Sequence, residues 1–277
     1  MEIIKRLKAI KPSGTNFEYC INCYDGCQHG CLYCYGRKMR WKDYEAWINA
    51  IPRLKIVDLL QDDIKHMTNE LKPEIKDIFV CSICDAYQPL ELECEITRNV
   101  IQILRGNNLP FTVLTKNRNV LRDIDLFAGY NKCRVGFTII TLDDNFRGIL
   151  EPNASPIAER CEALQILKAN GVSTYCSVEP IMCCEESNPI QIVEALREYV
   201  NLFEFGKLTP YPKMGIPVVY NEEWYARMFR DLIPYCKQER INYCFASHSK
   251  KFLESLELEF TPYPLVSDIP SPEKFQF

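Results

Sequence analysis

The 277-residue chain lacks any run approaching the ~18 uncharged apolar residues of a membrane-spanning helix, so no helical membrane span is expected. Its first residues, MEIIKRLKAIKPSG, contain no apolar stretch of signal-peptide length, and the expected location is cytoplasmic. Low-complexity tracts and Gly/Ser-rich linkers are missing too, which argues for a single domain. Positive charge is in short supply. Lys and Arg total 33 against 37 Asp and Glu, giving net charge −4 and a pI of about 5.6. Binding nucleic acid without regard to sequence needs a basic surface, so nucleic acid is not the favoured partner. A local basic cluster at Arg37, Lys38, Arg40 and Lys42 could steer an anion, although a solvated helix face is the simpler reading.

Cysteine is abundant, with 15 residues. In a cytosolic chain these are reduced thiols or metal ligands, and the odd count does not suit a full disulfide framework. Three fall in eight positions, Cys27, Cys31 and Cys34, spaced C-x3-C-x2-C. Four thiolates saturate a zinc ion or fill the corners of an iron–sulfur cubane, whereas three leave one iron open to a small ligand. Cys20 and Cys23 lie just upstream, so a four-cysteine zinc knuckle with Cys31 and Cys34 is a second reading.

Beyond the cysteines, strand-like and helix-like segments alternate. The β-rich runs are 76–83, 110–116, 134–141, 172–181, 201–208 and 241–247, and the first strand is expected near 17–21. Helical spacing covers 92–106, 119–130, 155–171, 188–200 and 221–239. The 155–171 helix has Ser155 as expected N-cap, Pro156 in its first turn and Gly171 past its end. Such alternation predicts an α/β fold built on a mostly parallel sheet that can curl into a barrel. The Pro-rich tail 261–275 is expected to wrap the surface.

The cysteine spacing, with Tyr33 before the last thiol, resembles the radical S-adenosylmethionine (SAM) superfamily. The longer phrase GC-x-H-x-C-x-YCY, Gly26 to Tyr35, resembles its spore photoproduct lyase-like branch. Further matches follow in order: DAYQPLELECEITR (85–98), TKNRNVLRDIDL (115–126), TIITLDDNFRGILEP (138–152), SPIAERCEALQILKANG (155–171) and VEPIM (178–182). The resemblance covers about residues 15–210. It implies a partial (β/α)6 TIM-like barrel as a single domain over 1–277, with 211–277 completing or covering the barrel. It implies a [4Fe–4S] cluster on Cys27, Cys31 and Cys34, with SAM chelating the fourth iron. Reductive cleavage of SAM would then give a 5′-deoxyadenosyl radical that abstracts hydrogen from a substrate the sequence does not assign.

The same resemblance suggests SAM contacts at Tyr33, Lys116, Thr138, Thr141 and Glu179, with one of the two threonines serving as strand core. Substrate-facing roles fall to Asp85, Tyr87 and Gln88. Cys84 is a candidate hydrogen donor, although the alignment puts Ser82 at the branch's donor position, with Cys81 and Cys84 displaced from it. His29 is expected to hold the shape of the loop, and His248 to be an ordinary surface residue. Cys183 and Cys184, with Cys81, Cys84 or Cys94, could ligate a second cluster, but inert thiols are the better expectation. The expected partners are an electron donor such as flavodoxin or ferredoxin and an unknown substrate, with the chain a monomer and no membrane involved. The alternatives are a nucleic-acid lesion lyase and a non-catalytic zinc or redox module.

Overall fold

The computed structural model describes residues 7–67, 75–210, 214–260 and 263–264. Seven parallel strands form the frame: β1 Tyr19–Ile21, β2 Ile78–Val80, β3 Phe111–Thr115, β4 Cys133–Thr138, β5 Ser173–Ile181, β6 Leu202–Lys207 and β7 Tyr243–Phe245. Each pairs only with its neighbours in sequence, and Lys11–Pro12 adds an antiparallel edge beside β1. A strand order that never reverses turns every crossover the same way, which curls a sheet rather than winding it doubly. The main covering helices are α1 Ile56–His66, α2 Ile96–Gly106, α3 Ile157–Ala169, α4 Pro189–Leu196 and α5 Glu222–Gln238. The expected six-strand barrel core is present, and the C-terminal part adds a seventh parallel strand to it.

Register separates two faces. Ile21, Val80, Val113 and Val135 align across four strands and pack in the main apolar core. The opposite face stacks in layers, as inward residues of a barrel do. Cys20, Phe79, Thr112, Arg134 and Ser173 make one layer. Leu114, Gly136, Tyr175 and Leu202 make the next, and Thr138, Ser177, Glu204 and Cys244 the third. This interior is unusually polar.

The sheet closes through side chains. Asn16, just before β1, donates its amide to Glu204 Oε1 on β6 at 2.8 Å and to the Phe245 carbonyl on β7 at 3.1 Å. Among the described residues no backbone ladder joins β1 to β7. At the N-terminal end of the bore, fully buried Arg134 donates to Tyr263 Oη at 2.7 Å and to the Pro264 carbonyl at 3.1 Å. Phe17 stacks on Phe79 at 4.1 Å and meets Tyr263 edge-on at 5.0 Å. So at 263–264 the tail plugs the barrel floor instead of wrapping the surface, because a buried guanidinium needs acceptors there. The rest of 265–275 lies outside the described residues.

Two local expectations change. Ser155 does not cap α3. Its hydroxyl accepts the Arg118 N–H at 3.1 Å, and Pro156 takes the cap position. The 119–130 segment is a 3-10 turn over Arg118–Asp123 followed by a short helix, Ile124–Phe127. Gly136 is where a side chain is excluded: a Cβ there would lie 2.1 Å from the Tyr175 carbonyl oxygen and 2.3 Å from its ring. Gly136→Ala is therefore expected to lower stability by about 2–3 kcal/mol through overpacking against backbone; an unfolding midpoint unchanged in urea would contradict this.

Candidate active site at the open end of the barrel

The cysteine loop leaves the C-terminal end of β1. Its backbone is pinned from three directions. Cys27 N–H donates to the Trp47 carbonyl at 2.9 Å, Leu32 N–H to the Leu150 carbonyl at 2.9 Å, and Gln28 N–H to Gln88 Oε1 at 2.9 Å. Gly26 turns with φ +111°, and a Cβ on it would sit 2.6 Å from the Trp47 carbonyl oxygen. Only glycine fits such a close approach in that conformation.

One carboxylate ties this loop to the strands. Asp85, buried beyond β2, accepts from the Tyr87 N–H at 2.8 Å, the Thr115 hydroxyl at 2.7 Å and the Lys116 N–H at 2.8 Å. Its Oδ2 also lies 3.2 Å from Nδ1 of the buried His29. Burial alone would raise its pKa, but His29, the Thr115 hydroxyl and Lys116 overcome that and bring it to about 2. The expected loop-shaping role of His29 fits this contact.

The three thiols sense one another. Cys27 is pushed up by burial, then by Asp85, Cys31 and Cys34, while the His29 N–H counters. Burial pushes Cys31 to about 12 against the pull of Lys116. Backbone N–H groups of Arg37 and Gly36, at the start of the Tyr35–Met39 helix, point at Cys34. N–H groups and a lysine aimed at sulfur suit anionic thiolates whose charge a metal offsets. Among the described residues no three His, Cys, Asp or Glu stand in the compact arrangement around a single ion. A cubane differs in binding three thiolates at three separate irons, so the donor set fits it.

Cys20 and Cys23 go elsewhere. Cys20 packs with Phe17 and Phe79 inside the bore. The Cys23 N–H donates to Cys81 Sγ at 3.4 Å. A four-cysteine knuckle is therefore not assembled, because strand register turns Cys20 away from the loop.

Lys116, at the end of β3, reaches over this loop. Its Nζ lies 5.7 Å from the Tyr33 ring centre and 3.3 Å from Thr138 Oγ1. Burial alone would lower its pKa, but Cys31, Glu151 and Asp85 raise it above the ordinary value. Behind it, Tyr33 donates its hydroxyl to fully buried Glu151, which pairs with Arg160 at 2.6 Å. Arg160 donates onward to the Ser155 carbonyl at 2.8 Å and the Thr138 carbonyl at 2.9 Å. Burial pushes the Glu151 carboxyl up, yet Arg160, Lys116 and Tyr33 hold it below the ordinary value.

The structure thus brings Tyr33, Lys116 and Thr138 together beside the three thiols. Thr141 stands apart: its hydroxyl donates to the Glu186 carbonyl at 2.5 Å and accepts the Asp143 N–H at 3.0 Å, so it fixes a loop. The substrate-facing expectations change with burial. Tyr87 is fully buried and donates to Asp123 at 2.9 Å. Gln88 holds the cysteine loop. Asp85 has its oxygens filled by loop donors. Cys84 donates to the Tyr24 carbonyl at 3.5 Å, next to Cys81. Cys183 donates to the Asn221 carbonyl at 3.7 Å.

Three groups escaped the sequence reading. The Glu151–Arg160 pair lay inside matched segments without a role. Tyr35 donates its hydroxyl to the Ser82 carbonyl at the mouth. His248 stands on the turn after β7 with Nδ1 3.4 Å from Glu179. No local spacing links it to Glu179; only the curl of the sheet does.

The family model of the radical SAM superfamily matches residues 21–206. The chain belongs to the radical SAM superfamily. An uncharacterised protein of Methanocaldococcus jannaschii is 34% identical over 188 residues, covering 66% of this chain and 68% of that protein. An uncharacterised protein of Acidianus two-tailed virus is 23% identical, covering 76% and 68%. Among solved structures, spore photoproduct lyase complexed with dinucleoside spore photoproduct aligns with TM-score 0.66 at 17% identity, over 86% of this chain and 78% of that one. Streptococcus suis SuiB bound to S-adenosylmethionine aligns with TM-score 0.60 at 13% identity, over 82% and 49%. These likenesses give this radical SAM enzyme the same barrel fold. No helix among the described residues is long and apolar enough to cross a membrane.

Two outcomes test this geometry. Asp85→Asn is expected to cost about 2–3 kcal/mol, since a buried charged acceptor of several hydrogen bonds is lost; urea unfolding measures it. The folded pKa of about 2 lies below the unfolded carboxylate value of about 3.9. The contribution is therefore complete above that value and disappears as pH falls toward 2. An equally acid-stable Asp85→Asn protein would contradict the assignment.

Proposed function

We propose that this enzyme holds a [4Fe–4S] cluster on Cys27, Cys31 and Cys34 and cleaves SAM reductively. The observation that carries the reading is the convergence of Lys116, Tyr33 and Thr138 on the loop that presents Cys27, Cys31 and Cys34, while the Cys23 side chain goes to Cys81. When bound, the cluster and SAM supply one-electron cleavage of a sulfonium and a 5′-deoxyadenosyl radical able to take hydrogen from carbon.

This chain's residues do the positioning. The Lys116 ammonium, steadied by the Tyr33 ring and the Thr138 hydroxyl, is placed to meet a carboxylate. Tyr33 keeps its ring fixed because Glu151 takes its hydroxyl and Arg160 neutralises Glu151. Asp85 and His29 hold the loop rigid, which limits reorganisation around a charged group. Burial of Cys27 and Cys31 excludes water from the sulfurs. The electron donor is an acidic or flavin-bearing carrier of the ferredoxin or flavodoxin kind.

A lesion lyase is the second reading. It is supported by the likeness to spore photoproduct lyase and by the exposed segment carrying Lys38, Arg40 and Trp41, the last 94% exposed. No binding to irradiated DNA at low salt would remove it.

Protein reconstituted without oxygen should carry about four irons per chain, as one cubane requires, and turn SAM into 5′-deoxyadenosine when reduced. Cys31→Ala should lose the iron and the brown colour, while Cys20→Ala keeps both. Iron retained by Cys31→Ala, or one zinc per colourless chain, would sink the reading. Lys116→Met should weaken SAM binding about tenfold, the ~1.4 kcal/mol scale of one charge-assisted hydrogen bond, with iron content unchanged; an unaltered SAM titration refutes that role.

A further inference from the structure

Beside the Lys116 cluster, the inner faces of β5, β6 and β7 carry a second polar group, and it includes Glu179, which the resemblance offered as a SAM contact. Glu179 lies two residues before the end of β5, 31% exposed at the mouth, and Glu204 lies one layer below on β6, 5% exposed. Gly206 lets Glu179 fold across toward β6, since a Cβ there would sit 2.6 Å from the Glu179 Cγ. Asn16 spends both amide hydrogens on Glu204 and the Phe245 carbonyl, which leaves its buried Oδ1 without a donor. His248 Nε2 lies 2.8 Å from the Lys207 carbonyl, so it carries the proton and Nδ1 turns a lone pair toward Glu179. Deeper in the bore, the fully buried Tyr175 hydroxyl also has no partner among the described residues.

With both carboxyls ionised the inventory is one-sided: Glu179, Glu204, Asn16 Oδ1 and His248 Nδ1 all accept, and among the described residues neither carboxylate pairs with Lys or Arg. The nearby cations are engaged. Lys207 Nζ turns to Tyr220 at 2.9 Å, and Lys116 belongs to the cysteine side. Arg134 faces Asp77 and Tyr263 at the floor. Among the described residues the buried Asn16 Oδ1 has no donor, a deficit of about 1–3 kcal/mol, and it stands beside two carboxylates that no Lys or Arg pairs, so this wall suits a ligand that brings N–H groups.

We propose that Glu179, Glu204, Asn16 and His248 form the substrate-recognition wall of this enzyme, and that it takes a donor-rich cation, an ammonium or guanidinium group. The inference rests on the reading that SAM occupies the cysteine side of the same bore. It also disfavours phosphate-bearing substrates at this wall, where an anion would meet only acceptors.

Charge states give the wall a signature. Burial pushes Glu179 up to about 7, with Lys116 opposing. Burial and then Glu179 push Glu204 to about 8, against Asn16, Arg134 and His248. Burial holds His248 below its ordinary value, with the Lys207 carbonyl and Glu204 opposing. The two carboxyls of the wall therefore hold protons near neutrality, and a bound cation must drive them off. Affinity rises as pH climbs from about 6 to 8, because the deprotonated carboxylates are the binding form.

The test uses cluster-loaded protein saturated with SAM and titrated with agmatine, with pentanoate as the anionic control. Calorimetry in buffers of different ionisation heat counts the protons released. Agmatine is expected to bind with proton release, about tenfold more tightly at pH 8 than at pH 6, while pentanoate does not bind. Glu204→Gln should weaken agmatine about tenfold and cut the proton release. Glu179→Gln is the second variant should the first fail to fold. Agmatine no tighter than pentanoate, or equal affinity in the variants, overturns the proposal. Displacement of SAM by agmatine also overturns it, by assigning the wall to SAM's own ammonium group. A parent protein that binds neither iron nor SAM sinks the functional reading instead, and agmatine binding then stands or falls separately.

Discussion

A single buried carboxylate coordinates the open end of this barrel. Asp85 takes hydrogen bonds from the end of β3 and from its own turn, and faces the imidazole inside the cysteine loop. Three elements that leave different strands are thereby fixed relative to one another. Burying a charge is costly unless it is surrounded by donors, and here donors surround it. The same contact that makes the buried charge tolerable determines where the thiols stand relative to Lys116.

A second buried pair does comparable work on the other flank. Glu151 and Arg160 neutralise each other with no exposure at all, and each uses its remaining valences to orient something nearer the mouth. Glu151 fixes the Tyr33 ring, and Arg160 fixes the backbone at Thr138. Removing either partner alone would strand the other, which is the costly way to break such a pair. The site therefore rests on two polar clamps set into an apolar shell, and the shell of outward-facing Val, Ile and Phe supplies most of the stability.

Much of this was legible in the sequence. The alternation located the parallel strands from β2 to β7 within a few residues, because each carries β-branched and aromatic residues bounded by turn formers. The thiol spacing marked the cysteine loop, and the resemblance singled out Lys116, which directly follows a strand. What escaped was long-range. Asp85 and Tyr87 are two residues apart, yet one clamps the loop and the other is buried against Asp123, a distinction that only tertiary packing makes. Glu179 and His248 are far apart in sequence and meet only when β5 and the turn after β7 curve toward each other. Ser155 offered an N-cap signal, but its hydroxyl found a better-placed donor at Arg118. Local chemistry proposed partners, and tertiary geometry then chose among them.

Among the described residues the Asn16 side chain, rather than a ladder, joins β1 to the later strands. A fully laced cylinder has a bore fixed by strand number and stagger. An unlaced one can widen by flexing its curvature, losing a few side-chain contacts and no backbone bonds. The aperture of this barrel thus depends on a side-chain seam along β1, the strand from which the cysteine loop departs.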